Sequence, residues 1–144
     1  MHGNPFDAYR EAQAATLRGS KQVVQLYDRA IRQAELAREK LLAPSADPAA
    51  ARKQSAEVAQ HLARARKVVT GLQRALRVDG TWEGAEELYL LYQLVLYRVA
   101  DPGKGVAELD EALGVLTRLR EAWREASKNT GDSPPQAQGR SEFA

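Results

Sequence analysis

Cysteine is absent from the 144 residues, and with it disulfides, zinc–thiolate sites and thiol catalysis. Histidine occurs only twice, as His2 and His61. His61 follows Glu57 by four residues, whereas a di-iron bundle needs Glu-x-x-His on two helices plus further inward carboxylates. No metal and no cofactor is therefore expected. No Gly-rich phosphate loop is evident, since Gly103-Lys104-Gly105 lacks the Walker spacing and sits beside a helix start. No serine or lysine nucleophile stands beside an evident base, so the chain reads as a non-enzyme. Neither sign of charge dominates: 21 basic residues are mixed along the chain with 19 acidic ones. A nucleic-acid binder would gather its cations on one face beside stacking aromatics, so no such partner is expected. The longest apolar run, near residue 90, is about half of the roughly 20 residues that cross a bilayer. The opening MHGNPFDAYREAQ lacks the apolar stretch of a secretory signal. The expectation is a cytosolic protein with no membrane insertion.

With only six prolines and abundant alanine and leucine, the composition favours helix over sheet. Residues 1–19 carry a weak apolar pattern and read as an N-terminal arm or a short extra helix. Ser20 is a candidate N-cap for a first long helix, in which Val24, Tyr27, Ile31, Ala34 and Leu41 recur at steps of three and four. That helix should stop at Ala43-Pro44. Asp47-Pro48 then combines a capping carboxylate with a proline at the first helical position, which predicts a second start. Val58, Leu62, Ala65, Val69, Leu72 and Leu76 form its stripe, and Arg52, Lys53, Arg64, Lys67 and Arg74 lie off it. Gly71 inside this helix either admits a close neighbour or is a tolerated weak spot. Asp79-Gly80 should end the helix. A third helix spans about 85–100, and Asp101-Pro102 repeats the start signal for a fourth, with Val106, Leu109, Leu113, Leu116, Leu119 and Trp123 as its apolar face. After Lys128 the chain turns polar, with Pro-Pro and glycines, and reads as a disordered tail over 129–144.

Four amphipathic helices joined by short loops predict an all-α, antiparallel up-down four-helix bundle over 20–128. The third helix breaks the amphipathic rule. Between Leu88 and Val99 only Gln93 and Arg98 are polar. Ala85, Leu88, Tyr89, Tyr92, Leu96 and Val99 can serve one stripe towards the core. Leu90, Leu91, Leu94, Val95 and Tyr97 are then left on other sides, and two neighbouring helices cannot cover them all. Either the N-terminal arm or a wider core hides them, or they form a partner groove or a dimer interface.

Several segments resemble one family. Asn4-Pro5-Phe6 followed by Ala8-Tyr9 is similar to the Asn-Pro-Tyr-x-x-Tyr opening of FliS proteins. Leu26-Tyr27-Asp28-x-Ala30-Ile31 is similar to that family's Leu-Tyr-Asp-Gly-Ala-Ile on the first long helix. Leu88-Tyr89 falls where the third helix of the family carries Leu-Tyr-x-Tyr, and Leu119-Arg120-Glu121-Ala122-Trp123 resembles its Arg-Asp-Ala-Trp. The pieces keep their order over about residues 4–126. Departures occur at Arg18-Gly19 and Gln22, at Leu94-Val95-Leu96-Tyr97, at Ala100-Asp101-Pro102 and in the longer loop at 43–50, so a divergent member is expected.

The resemblance implies a cytoplasmic chaperone that binds the C-terminal helical segment of flagellin, prevents premature polymerisation and aids export. It also implies an N-terminal arm that occupies part of the client surface and is linked to docking at the flagellar export gate. Phe6 and Tyr9 belong to that arm by position. With the third-helix surplus Leu90, Leu91, Leu94, Val95 and Tyr97, they are the candidate partner-binding residues. Asn4, Pro5, Tyr27, Asp28, Tyr89 and Trp123 are motif residues with a structural role as their simplest explanation. The alternative is a helical adaptor that forms a homodimer through the third helix and has no secretion client.

Overall fold

A computed structural model of the chain describes residues 20–76 and 84–129. The arm at 1–19, the Asp79-Gly80 turn and the tail from 130 onward lie outside the described residues. Four helices carry the described fold: α1 over Ser20–Leu42, α2 over Pro48–Arg74, α3 over Ala85–Arg98 and α4 over Gly105–Asn129. No strand occurs among the described residues.

The α1 helix buries Val23, Tyr27, Ala30, Ile31, Ala34 and Ala37. Val24 and Leu41, read as part of its stripe, pack against the core but stay half-buried. Three of the fully buried positions are instead alanines, beside Val23 and Tyr27. The connector after Leu42 is held by one side chain. Gln54 donates from Nε2 to the Ala43 carbonyl at 2.8 Å and accepts the Ser45 amide at Oε1, 3.1 Å away. The Asp47-Pro48 start is present as read: Asp47 is extended and its Oδ2 accepts the Ala50 amide at 2.9 Å. Such a cap satisfies one of the orphan amides of the first turn.

All six residues of the expected stripe are buried, with Leu76 two residues past the end of α2, and the five flanking cations are exposed. Gly71 is exposed, with nothing within 4 Å of the position a Cβ would take, so it is a weak spot and no neighbour's point of approach. The helix stops at Arg74, before Asp79-Gly80, and the Ala75 amide closes it on the Gly71 carbonyl at 3.2 Å. The expected terminator therefore falls beyond the helix end.

The Asp101-Pro102 start works differently from Asp47-Pro48. Asp101 Oδ1 accepts the Gly103 amide at 2.7 Å, but this opens only a single 3-10 turn over Pro102–Lys104. Gly105, with φ of +89°, then redirects the chain into α4. A left-handed residue at this point cannot continue the first turn, so α4 begins three residues after Pro102. Its buried line is Leu109, Ala112, Leu116, Leu119 and Trp123, with Val106 and Leu113 half-buried beside it.

Side-chain pairs fix the helix directions. Gln33 meets His61 and Lys40 meets Glu57, so α2 runs against α1. Asp28 pairs with Arg120 and Arg38 with Asp110, so α4 also runs against α1. Gln73 reaches Gln93 while Arg66 reaches Val99, so α3 runs against α2. The α1 helix packs on α2 and α4, and α3 packs on the same two. This is an antiparallel up-down four-helix bundle. Across its core, Tyr27 of α1 and Tyr92 of α3 join through their hydroxyls at 2.5 Å, with ring centroids 6.5 Å apart.

Candidate functional site

At 14 residues, α3 is the shortest of the four helices. Its sequence offers more than one apolar stripe, and the buried one is Ala85, Leu88, Tyr92, Val95 and Val99. The steps of three, four, three and four match the seam of a bundle. This corrects two expectations. Val95, placed among the outward residues, is fully buried at 0% exposure, and Tyr89, placed on the core stripe, is 39% exposed. Leu91 and Leu96 are intermediate and pack against the core edge.

The rotation that decides this comes from polar groups on other elements. Gln73, buried on α2, donates from Nε2 to Gln93 Oε1 at 2.8 Å and to the Tyr89 carbonyl at 3.3 Å. Tyr92 is held by Tyr27. The end of α3 is closed from outside the helix, because Arg66 donates from one nitrogen to the carbonyls of Val99 at 2.9 Å and Ala100 at 2.8 Å. A cation on the last carbonyls satisfies orphan acceptors and opposes the negative end of the helix dipole. Arg98 ties the same end to α4 through Glu108 and Glu111, both at 2.7 Å. Once α3 is pinned in this rotation, a line of apolar side chains faces away from the bundle.

That line is Leu90 at 66% exposure, Tyr97 at 60% and Leu94 at 37%, flanked by Tyr89. Leu90, Leu94 and Tyr97 stand at steps of four and three, which places them on one helix face. Large apolar side chains contiguous on one exposed face mark an interaction surface more often than scattered ones do. Charge brackets the face. Glu86 and Glu87 occupy the first turn of α3, and at the other end the Lys104 ammonium lies 3.5 Å from the Tyr97 ring centroid. The sequence places Lys104 beside a helix start but carries no sign of its contact with Tyr97, seven residues away. Cation–π contacts of this kind are worth roughly 0.5–1 kcal/mol at an exposed site.

The other motif residues have structural roles here. Tyr27 and Trp123 are buried core residues. Asp28 accepts from Arg120 at 2.9 Å and tethers α1 to α4. Asn4, Pro5, Phe6 and Tyr9 lie outside the described residues. His61 sits on the α1–α2 seam, where its Nδ1 donates to Gln33 Oε1 at 2.8 Å. Among the described residues, no helix is long and apolar enough to cross a membrane.

No match was found among curated protein sequences. A family model described as the flagellar protein FliS matches residues 2–130, nearly the whole chain. With the bundle and the apolar face of α3 in view, the chain belongs to the FliS family of flagellar export chaperones.

Proposed function

We propose that this protein is a cytosolic export chaperone that binds the C-terminal helical segment of flagellin along the outward face of α3. The observation that carries the reading is the exposed line Leu90, Leu94 and Tyr97 on a helix already buried on its opposite side. An amphipathic tail that is unstructured when free gains a groove for its apolar face by folding there, and the ordering entropy moderates its affinity. Moderate affinity suits a client that must be released for export. Residues 1–19 act as an arm whose Phe6 and Tyr9 shelter the face until the client arrives, and the helices at 20–129 form the binding domain.

Co-expression with the flagellin C-terminal segment should yield an equimolar complex in which that segment resists protease. Leu90→Asp and Tyr97→Asp should each weaken the complex by about tenfold or more. The melting temperature should hardly move, because exposed substitutions usually stay within about 0.5 kcal/mol. Failure to form the complex, or full binding by both variants, overturns the proposal. Deleting residues 1–18 should increase binding of an apolar dye, and unchanged dye binding removes the arm from the account.

The same exposed face supports a second reading, a homodimerising adaptor. It requires a concentration-dependent dimer in sedimentation that Leu94→Asp abolishes.

A further inference from the structure

We infer that the α3 face selects the direction of the helix it binds, and that the bound helix runs antiparallel to α3. The inference rests on the proposal that this face is the docking surface, and adds the polarity and charge pattern of its occupant. The occupant is an amphipathic partner helix with acidic residues in its first turn and basic residues in its last.

The argument starts from the two ends of the apolar line. Glu86 and Glu87 are exposed at one end, and Lys104 stands over Tyr97 at the other. Among the described residues none of these three charges takes part in an ion pair, whereas Arg98, Arg120, Arg38 and Lys40 all pair across helix seams. Charges consumed in holding the bundle together are unavailable to a partner, and these three are not consumed. From Glu86 to Tyr97 the helix rises by about 16 Å, so a partner of about eleven helical residues covers the line from end to end.

A helix placed on this line feels two charge contacts that agree. The Arg66 guanidinium on the Val99 and Ala100 carbonyls already offsets the negative C-terminal end of α3, which leaves the full side-chain charges to set the direction. Acidic side chains in the partner helix's first turn, where helices tend to carry them, meet Lys104 when that helix is antiparallel and meet Glu86 and Glu87 when it is parallel. Basic side chains in its last turn meet the two glutamates only in the antiparallel setting. Apolar contact with Leu90, Leu94 and Tyr97 supplies attraction without direction, so the charges at the two ends decide which way the partner lies.

The test uses the full-length protein and a designed amphipathic peptide with leucines on one face, glutamates in the first turn and lysines in the last. A nitroxide on a cysteine at either peptide end reports proximity through broadening of the protein's amide resonances. The N-terminal label should broaden amides around Lys104 and the C-terminal label those around Glu86. Combining Glu86→Lys, Glu87→Lys and Lys104→Glu should reverse the pattern. Glu86→Gln with Glu87→Gln, which adds no cation to the helix start, should weaken binding about twofold to fivefold at low salt and by less at about 0.5 M salt.

The opposite broadening pattern overturns the inference, as does a pattern indifferent to the charge reversal. Concentration-dependent broadening of α3 amides without peptide overturns it in favour of a second copy on the face. Failure of the flagellin reading is distinct, since it appears as a missing complex with the flagellin segment whatever direction the peptide takes.

Discussion

His61 illustrates how far a single side chain's surroundings reach. Burial and the nearby cations Arg64 and Lys40 push its imidazole below the ordinary 6.5, against an opposing pull from Glu57. The unfolded chain then binds more protons at this position than the folded one, so stability rises with pH across the interval between the two values. The contribution is complete above about pH 6.5 and is lost as pH falls through the folded value. In urea titrations His61→Gln should flatten this part of the stability profile, and an unchanged slope would assign the loss to other groups. Gly71 gives the simplest stability gain. It lies inside α2, exposed, with open space where a Cβ would go. Gly71→Ala should raise stability by about 0.5–1 kcal/mol, read as a higher urea midpoint at constant slope.

At the scale of elements, the two faces of α3 should answer very differently to the same chemistry. Val95→Asp places a carboxylate in the core with no partner and should prevent folding, while Leu90→Asp should leave the circular dichroism melt almost unmoved. The milder Val95→Ala should cost roughly 1.5–3 kcal/mol and keeps the comparison measurable. The contrast between α2 and α3 also shows what sequence can convey. On α2 the cations at Arg52, Lys53, Arg64, Lys67 and Arg74 mark the solvent side, so the buried stripe was legible to the residue. On α3 almost every side chain is apolar, and Ala85, Tyr89, Tyr92, Leu96 and Val99 make as regular a stripe as the buried one. Tyr92 belongs to both, so its bond to Tyr27 leaves the choice to Gln73, which bonds Gln93 20 residues away. No local pattern carries information of that kind. The α1 stripe was partly misplaced for another reason: alanines carry little apolar signal, although Ala30, Ala34 and Ala37 are fully buried. The surplus of apolar surface on α3 was visible from composition, but its membership of Leu90, Leu94 and Tyr97 required the fold.

On the scale of the whole molecule, the surface ion pairs contribute little energy and much geometry. Arg38–Asp110 and Lys40–Glu57 are solvated, and pairs of this kind add little to stability. They do record which helices lie side by side, and that arrangement has a consequence in time. The Asp28–Arg120 tether joins residues 92 apart in the chain, whereas the Ser45–Gln54 clasp between α1 and α2 spans nine. By flexible-chain scaling, closing the longer segment costs about 2 kcal/mol more than closing the shorter. The α1–α2 hairpin should therefore assemble before α4 docks on α1. Truncating Leu62 to alanine should slow refolding, while truncating Leu116 should mainly hasten unfolding, and each loss of about 2–5 kcal/mol is large enough for reliable φ-values. A nascent chain leaving the ribosome would then hold a preformed hairpin while it waits for its last helix.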